Sequence, residues 1–224
     1  MPNDPLPAIE IETAPNPDAA VIWMHGLGDD GRGWSEVVPL LGLPDRATIR
    51  FLFPHAPVMA VTINNGLQMR AWYDIRQANL SERADIEGVR RSQCHVAALL
   101  SREFARGIPP RRTLLAGFSQ GGAIALYAGL RSDHRLAGIV ALSTYLIGGD
   151  RTAEEASDAN RGLPIFMAHG TYDQVVHLPW AEQSRDTLVA GGWPVEWHEY
   201  PIEHSANPEE ITAAGSFIAR VLSI

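Results

Sequence analysis

Apolar residues along this chain gather in short, nearly unbroken runs. Residues 20–24, 49–53, 113–116, 138–142 and 164–168 form such runs, each closed by a turn containing Gly, Pro or Asp. Runs of this length without alternation predict strands covered on both faces, as in a parallel sheet between helices. Residues 195–200 alternate more and suit a sheet edge. Residues 8–13 alternate Ile with Glu and predict an antiparallel edge strand.

Between these runs lie helical patterns. Residues 85–105 place Ile86, Val89, Val96, Leu99, Leu100 and Phe104 on one face and Arg and Glu on the other. Residues 122–130, 178–189 and 208–222 complete the set. Strands alternating with helices predict a single α/β domain over 1–224, with a mostly parallel central sheet flanked by helices. Residues 147–162 are polar and read as a surface loop, too short for a separate lid domain. No internal repeat or linker divides the chain.

Composition narrows the class. The chain has 224 residues, 46% hydrophobic and 20% charged, which is ordinary for a globular domain. A net charge of −8 argues against a nucleic-acid partner. One cysteine, Cys94, excludes an internal disulfide, and its place mid-helix among small and apolar residues predicts that it is packed. The first residues carry no basic-then-apolar signal, and no apolar run reaches about 18 residues. These features predict a cytoplasmic protein without stable membrane insertion.

The most specific chemistry is Gly117-Phe118-Ser119-Gln120-Gly121, between an apolar strand and a small-residue helix. A sharp strand-to-helix turn that exposes a serine needs glycine on both flanks and a helix N-terminus beyond it. In a parallel sheet, ligands meet the carboxyl ends of the strands. The loops leaving the other strands are therefore informative: His25-Gly26-Leu27-Gly28-Asp29-Asp30-Gly31, then His169-Gly170-Thr171-Tyr172-Asp173, then Pro201-Ile202-Glu203-His204. Nucleophile, acid and base thus occur in the order Ser119, Asp173, His204, the order used by Ser-Asp-His hydrolases of this sheet type.

Ser119 needs a base, since a free hydroxyl is a weak nucleophile. His204 lies in the loop after the last strand, whereas the rival His198 lies inside that strand. His169, at a strand end, suits holding a loop by hydrogen bonding. Asp173 is preferred over Asp150, Asp158 and Glu203 because it closely follows its strand. The stretch Gly26-Leu27-Gly28-Asp29-Asp30-Gly31 spells a dinucleotide fingerprint. That reading needs a helix opening within the motif and an acidic residue ending the next strand, where this chain has Pro54-His55-Ala56-Pro57. An oxyanion loop fits better, with the Leu27 N–H paired to that of Gln120; a plain helix-capping turn near Trp34 is the alternative. No helical His pair or Cys/His cluster suggests a metal, and no cofactor is expected.

These motifs, with Trp72-Tyr73-Asp74, Gly122 and Ser205 added, make the chain resemble the bacterial carboxylesterases of the acyl-protein thioesterase/lysophospholipase-like family of α/β-hydrolases. The resemblance runs from Val21 to Leu222. It implies the Ser119–Asp173–His204 triad, oxyanion donors at Leu27 and Gln120, no large lid, and hydrolysis of short- to medium-chain carboxylic esters through an acyl-enzyme. It also implies an acyl pocket near Ser119 drawn from Leu27, Leu67, Trp72, Val175 and Val176. Tyr172 departs from the acidic or small polar residue of many relatives, a change at the rim. The substrate expected is a small-molecule ester or thioester. A dedicated acyl-protein thioesterase or lysophospholipase stays open within enzymes, as does a non-catalytic binding protein of the same fold. Relatives are often dimers, which allows a homodimer, although no sequence feature marks an interface.

Overall fold

The computed structural model describes residues 5–77 and 84–224. Its main sheet has seven strands, in the order β1 (Ala8–Glu12), β3 (Ile49–Pro54), β2 (Ala19–Met24), β6 (Thr113–Phe118), β7 (Gly138–Leu142), β8 (Ile165–Gly170), β9 (Val195–Tyr200). Only β1 runs antiparallel, against β3; every other pairing is parallel. The two alternating segments are the two edges. The continuous runs are the interior strands, and β2, β3, β7 and β8 are buried along their whole length.

Helices cover both faces. On one, α2 (Ile86–Ala105), α3 (Gln120–Leu130) and α5 (Leu178–Ala190) enclose a core that includes Ile22, Val96, Ile124 and Leu188. On the other, α6 (Pro208–Leu222) packs Ile211 and Phe217 against Trp23, Phe51 and Phe166. At the β1 edge a buried ion cluster replaces apolar packing. Arg50 on β3 donates to Glu12 at 2.9 Å and to the fully buried Glu103 at 2.8 Å. Among the described residues, no helix is long and apolar enough to cross a membrane.

The structure departs from the sequence expectations in three places. Cys94 is exposed rather than packed. The buried face of α2 runs through Val89, Ser92, Val96, Leu99 and Glu103, and helical spacing turns residue 94 away from it. The segment 147–162 is not a featureless surface loop. It contains the short α4 (Thr152–Glu155) and is pinned by Asn160, fully buried, whose side chain accepts from Leu136 N–H and donates to the carbonyls of Ser132 and His134. A hairpin of β4 (Val58–Val61) and β5 (Leu67–Arg70) has no counterpart among the predicted elements. Its strands are four residues each and only partly covered, so no long apolar run announces them.

Candidate active site

All four loops singled out by sequence leave the carboxyl edge of the same sheet, from β2, β6, β8 and β9. At the end of β6 the chain turns through Ser119, whose φ of 54° and ψ of −119° lie in a region that costs a non-glycine residue energy. The end of β7 and the loop after it hold it there. Ser119 N–H donates to Leu142 C=O at 2.8 Å, and Thr144 Oγ1 donates to Ser119 C=O at 2.7 Å. The turn also demands close approach, since a Cβ on Gly121 would sit 2.2 Å from Met24 O. The glycine flank of the motif is therefore steric necessity.

Ser119 Oγ lies 2.9 Å from His204 Nε2, and His204 Nδ1 lies 2.6 Å from Asp173 Oδ2. With Asp173 ionised, Nδ1 carries the proton and donates it, which leaves Nε2 free to accept from the serine hydroxyl. Burial works against the Asp173 charge. The His204 hydrogen bond and the N–H groups of Val176 and Val175, both 2.8 Å from Oδ1, outweigh it and hold the carboxyl below its usual range. His169 braces this loop: its Nε2 bonds Val176 C=O at 2.8 Å, and burial holds its imidazole below the ordinary value. The loops that carry Asp173 and His204 touch at Gly170, where a Cβ would meet Ile202 O at 2.4 Å. Phe118 packs its ring on that of His204, centroids 4.8 Å apart.

A groove of about 460 Å³ opens over Ser119 and His204, walled by Leu27, Trp34, Ile75, Phe118, Val175 and Ala206. A larger cavity of about 520 Å³ by Tyr145, Ile147 and Ser184 contains neither residue, so volume alone does not choose the site. Among the described residues, the N–H groups of Leu27 and Gln120 have no hydrogen-bond partner, as donors reserved for a ligand would. The loop carrying Leu27 also opens α1 (Gly31–Ser35), capped by the Asp30 side chain. The capping turn and the oxyanion loop are thus compatible. That helix does begin within the glycine motif, but β3 ends in Pro54 with no acidic residue for a ribose.

The four proposed pocket residues besides Leu27 divide. Val175 is half-exposed and walls the groove. Val176 and Trp72 are buried, Val176 bonded to Asp173 in its loop and Trp72 to the Gln120 side chain just after Ser119, and neither walls the groove. Leu67 stands exposed on the β4–β5 hairpin and does not wall it either. Periodicity does not distinguish a loop residue that faces a groove from one that anchors a loop. Trp34, Ile75, Phe118 and Ala206 are walls that the sequence reading does not include. Adjacency offers a signal for two of them, since Phe118 precedes Ser119 and Ala206 follows the His204-Ser205 pair. Among the rivals, His198 stays on β9, bonding Glu196 at 3.0 Å, and Asp158 pairs with Arg161 at the surface. Glu203 is exposed, and the Asp150 side chain lies outside the described residues. Among the described residues, no cluster of His, Cys, Asp and Glu could hold a metal ion.

Residues 7–222 match the phospholipase/carboxylesterase family. The chain belongs to that family. It is 38% identical over 213 residues to an acyl-protein thioesterase 1 of Gibberella zeae, covering 91% of each chain. It is 39% identical over 226 residues to that of Neurospora crassa, covering 97% of this chain and 90% of the other. Among solved structures, acyl-protein thioesterase 2 of Zea mays superposes with a TM-score of 0.83 at 32% identity, covering 97% of this chain and 99% of that one. SOBER1 of Arabidopsis thaliana gives 0.86 at 29%, covering 91% and 99%. The α/β-hydrolase fold and a serine hydrolase are thereby supported. The bacterial label attached to the motifs is not, because the relatives named here are fungal and plant proteins.

Proposed function

We propose that this protein is a thioesterase-like serine hydrolase that cleaves acyl thioesters and esters through an acyl-enzyme on Ser119. One observation carries the proposal: the continuous chain Ser119 Oγ–His204 Nε2 at 2.9 Å and His204 Nδ1–Asp173 Oδ2 at 2.6 Å, on a strained serine. The Ser119 Oγ attacks the acyl carbonyl as its proton passes to His204 Nε2. The oxyanion formed on the carbonyl is held by the Leu27 and Gln120 N–H groups, and Asp173 stabilises the imidazolium. The carbon–sulfur or carbon–oxygen bond then breaks, and His204 Nε2 returns the proton to the leaving group. Water, deprotonated by the same nitrogen, splits the acyl-enzyme and releases the acid.

The family resemblance read from the motifs implies short- to medium-chain carboxylic esters first, with thioesters as the alternative. The identity to acyl-protein thioesterases supports the reverse order. The test is kcat/KM for thioesters and oxygen esters that share one acyl chain, varied in length, with wild type and Ser119→Ala. The expected result is Ser119-dependent turnover, with the thioester equal to or better than the ester. Preference for the ester at every chain length would restore the carboxylesterase reading. Turnover that survives in Ser119→Ala would overturn the mechanism.

A further inference from the structure

The two oxyanion donors belong to separate parts of the chain, Leu27 in the loop after β2 and Gln120 at the start of α3. No covalent geometry fixes the distance between them, yet a hole of this kind works only when both point at one oxygen. Trp72 is bonded to both sides. Its main-chain N–H donates to Gln120 Oε1 at 2.8 Å, and its indole Nε1–H donates to the main-chain carbonyl of His25 at 2.9 Å, two residues before Leu27. Gln120 returns the contact, with Nε2 donating to Tyr73 C=O at 2.7 Å. The strap is tied down from behind by Ser92 Oγ, which donates to Trp72 C=O.

The side held by the indole is itself rigid. His25 Nδ1 bonds Gly26 C=O at 2.7 Å, and Nε2 accepts from Ala56 N–H at 3.1 Å, which fixes the ring in one neutral tautomer. Burial keeps that imidazole below its ordinary value, so it stays neutral. The Trp72 ring lies against it, centroids 5.4 Å apart. Trp72, His25, Gln120 and Ser92 are all buried to 2% exposure or less. Hydrogen bonds in such surroundings hold their geometry strongly, because losing one strands its partner without water.

We infer that Trp72 is a positioning residue that sets the spacing between the Leu27 and Gln120 donors, and is not a wall of the acyl pocket. The Gln120 side chain is the clasp on one side, while its main-chain N–H remains the donor. The inference rests on the oxyanion reading above, and its test separates the two. Trp72→Phe keeps an aromatic ring and the main-chain N–H; it removes the bond to His25 C=O together with the volume of the second indole ring, whereas the Gln120 variant leaves the indole intact. Gln120→Met keeps the Gln120 N–H and removes only the clasp.

Each variant is expected to lower kcat by about 10- to 100-fold, less than deletion of a donor, with KM within about twofold. Binding of a trifluoromethyl ketone, which forms an oxyanion on Ser119, should weaken by a similar factor. The shape of the pH–rate profile should not change, since His204 and Asp173 are untouched. Folding is checked by thermal melting, and Gln120→Met carries the test if Trp72→Phe does not fold. A folded variant with unchanged kcat and unchanged ketone affinity overturns the inference while Ser119-dependent catalysis stands. Wild-type activity that is indifferent to Ser119 would instead bring down the parent mechanism.

Discussion

Glu210 yields a stability prediction whose size comes from its surroundings. It lies in the first turn of α6, fully buried, and among the described residues neither of its carboxyl oxygens has a hydrogen-bond partner. Burial pushes its pKa up to about 7, where an unhindered glutamate would sit at 4.5. Each decade of proton affinity is worth about 1.4 kcal/mol, so the native state gives up about 3 kcal/mol as this group ionises. The sign is set by the protons bound. Between pH 4.5 and about 7 the folded chain keeps a proton that the unfolded chain has released, so this contribution is fully present below 4.5 and is lost as pH rises through 7. Glu210→Gln removes the titration. The unfolding free energy of the variant minus that of wild type, from urea titrations at pH 5 to 8.5, should climb with pH by about 3 kcal/mol. In melting temperature that is roughly 6–12 °C. A difference independent of pH would refute the argument, because Glu210 would then ionise alike in both states.

Other perturbations read other parts of the structure. Asp173→Asn should lower kcat by about 10⁴-fold with little change in KM, because the amide favours the wrong tautomer of His204; a loss below tenfold in an acyl-transfer assay would contradict that role. Gly170→Ala places a Cβ 2.4 Å from Ile202 O, so the loops that carry Asp173 and His204 must part, and kcat should fall by about 100-fold or more in the same assay. Glu103→Ala takes from the buried Arg50 one of its two close carboxylate partners, leaving Glu12, and should cost about 1–3 kcal/mol in urea unfolding, with kcat unchanged in the folded fraction. Burial depresses His25 and His169, so the unfolded chain protonates first and stability is lost as pH falls below about 6.5; substituting either with Gln should flatten that limb.

The parts of this protein legible from sequence are those that burial or sterics dictate. Strands covered on both faces are nearly continuous apolar runs, so β2, β3, β6, β7 and β8 announce themselves, and the alternating β1 and β9 announce the edges. The glycines around Ser119 can be read because the turn admits nothing larger. Chain order then leads to Asp173 and His204, whose side chains meet Ser119 although they lie far from it in sequence. The groove is less legible. Whether Trp72 faces a ligand or ties down a loop depends on which carbonyl its indole meets, and that is a property of the assembled fold. The β4–β5 hairpin escapes for a related reason, since short, half-covered strands leave no long apolar run. Cys94 escapes because its immediate neighbours are small and apolar while its helical face is not buried.

The central claim is that Ser119 is a nucleophile activated by His204, and covalent labelling tests it most directly. A fluorophosphonate should add once per chain, with the mass increase located by peptide mapping on the peptide that contains Ser119. Labelling should vanish in Ser119→Ala and slow by at least about 100-fold in His204→Ala. An adduct elsewhere, or equal labelling of the Ser119→Ala protein, would contradict the account.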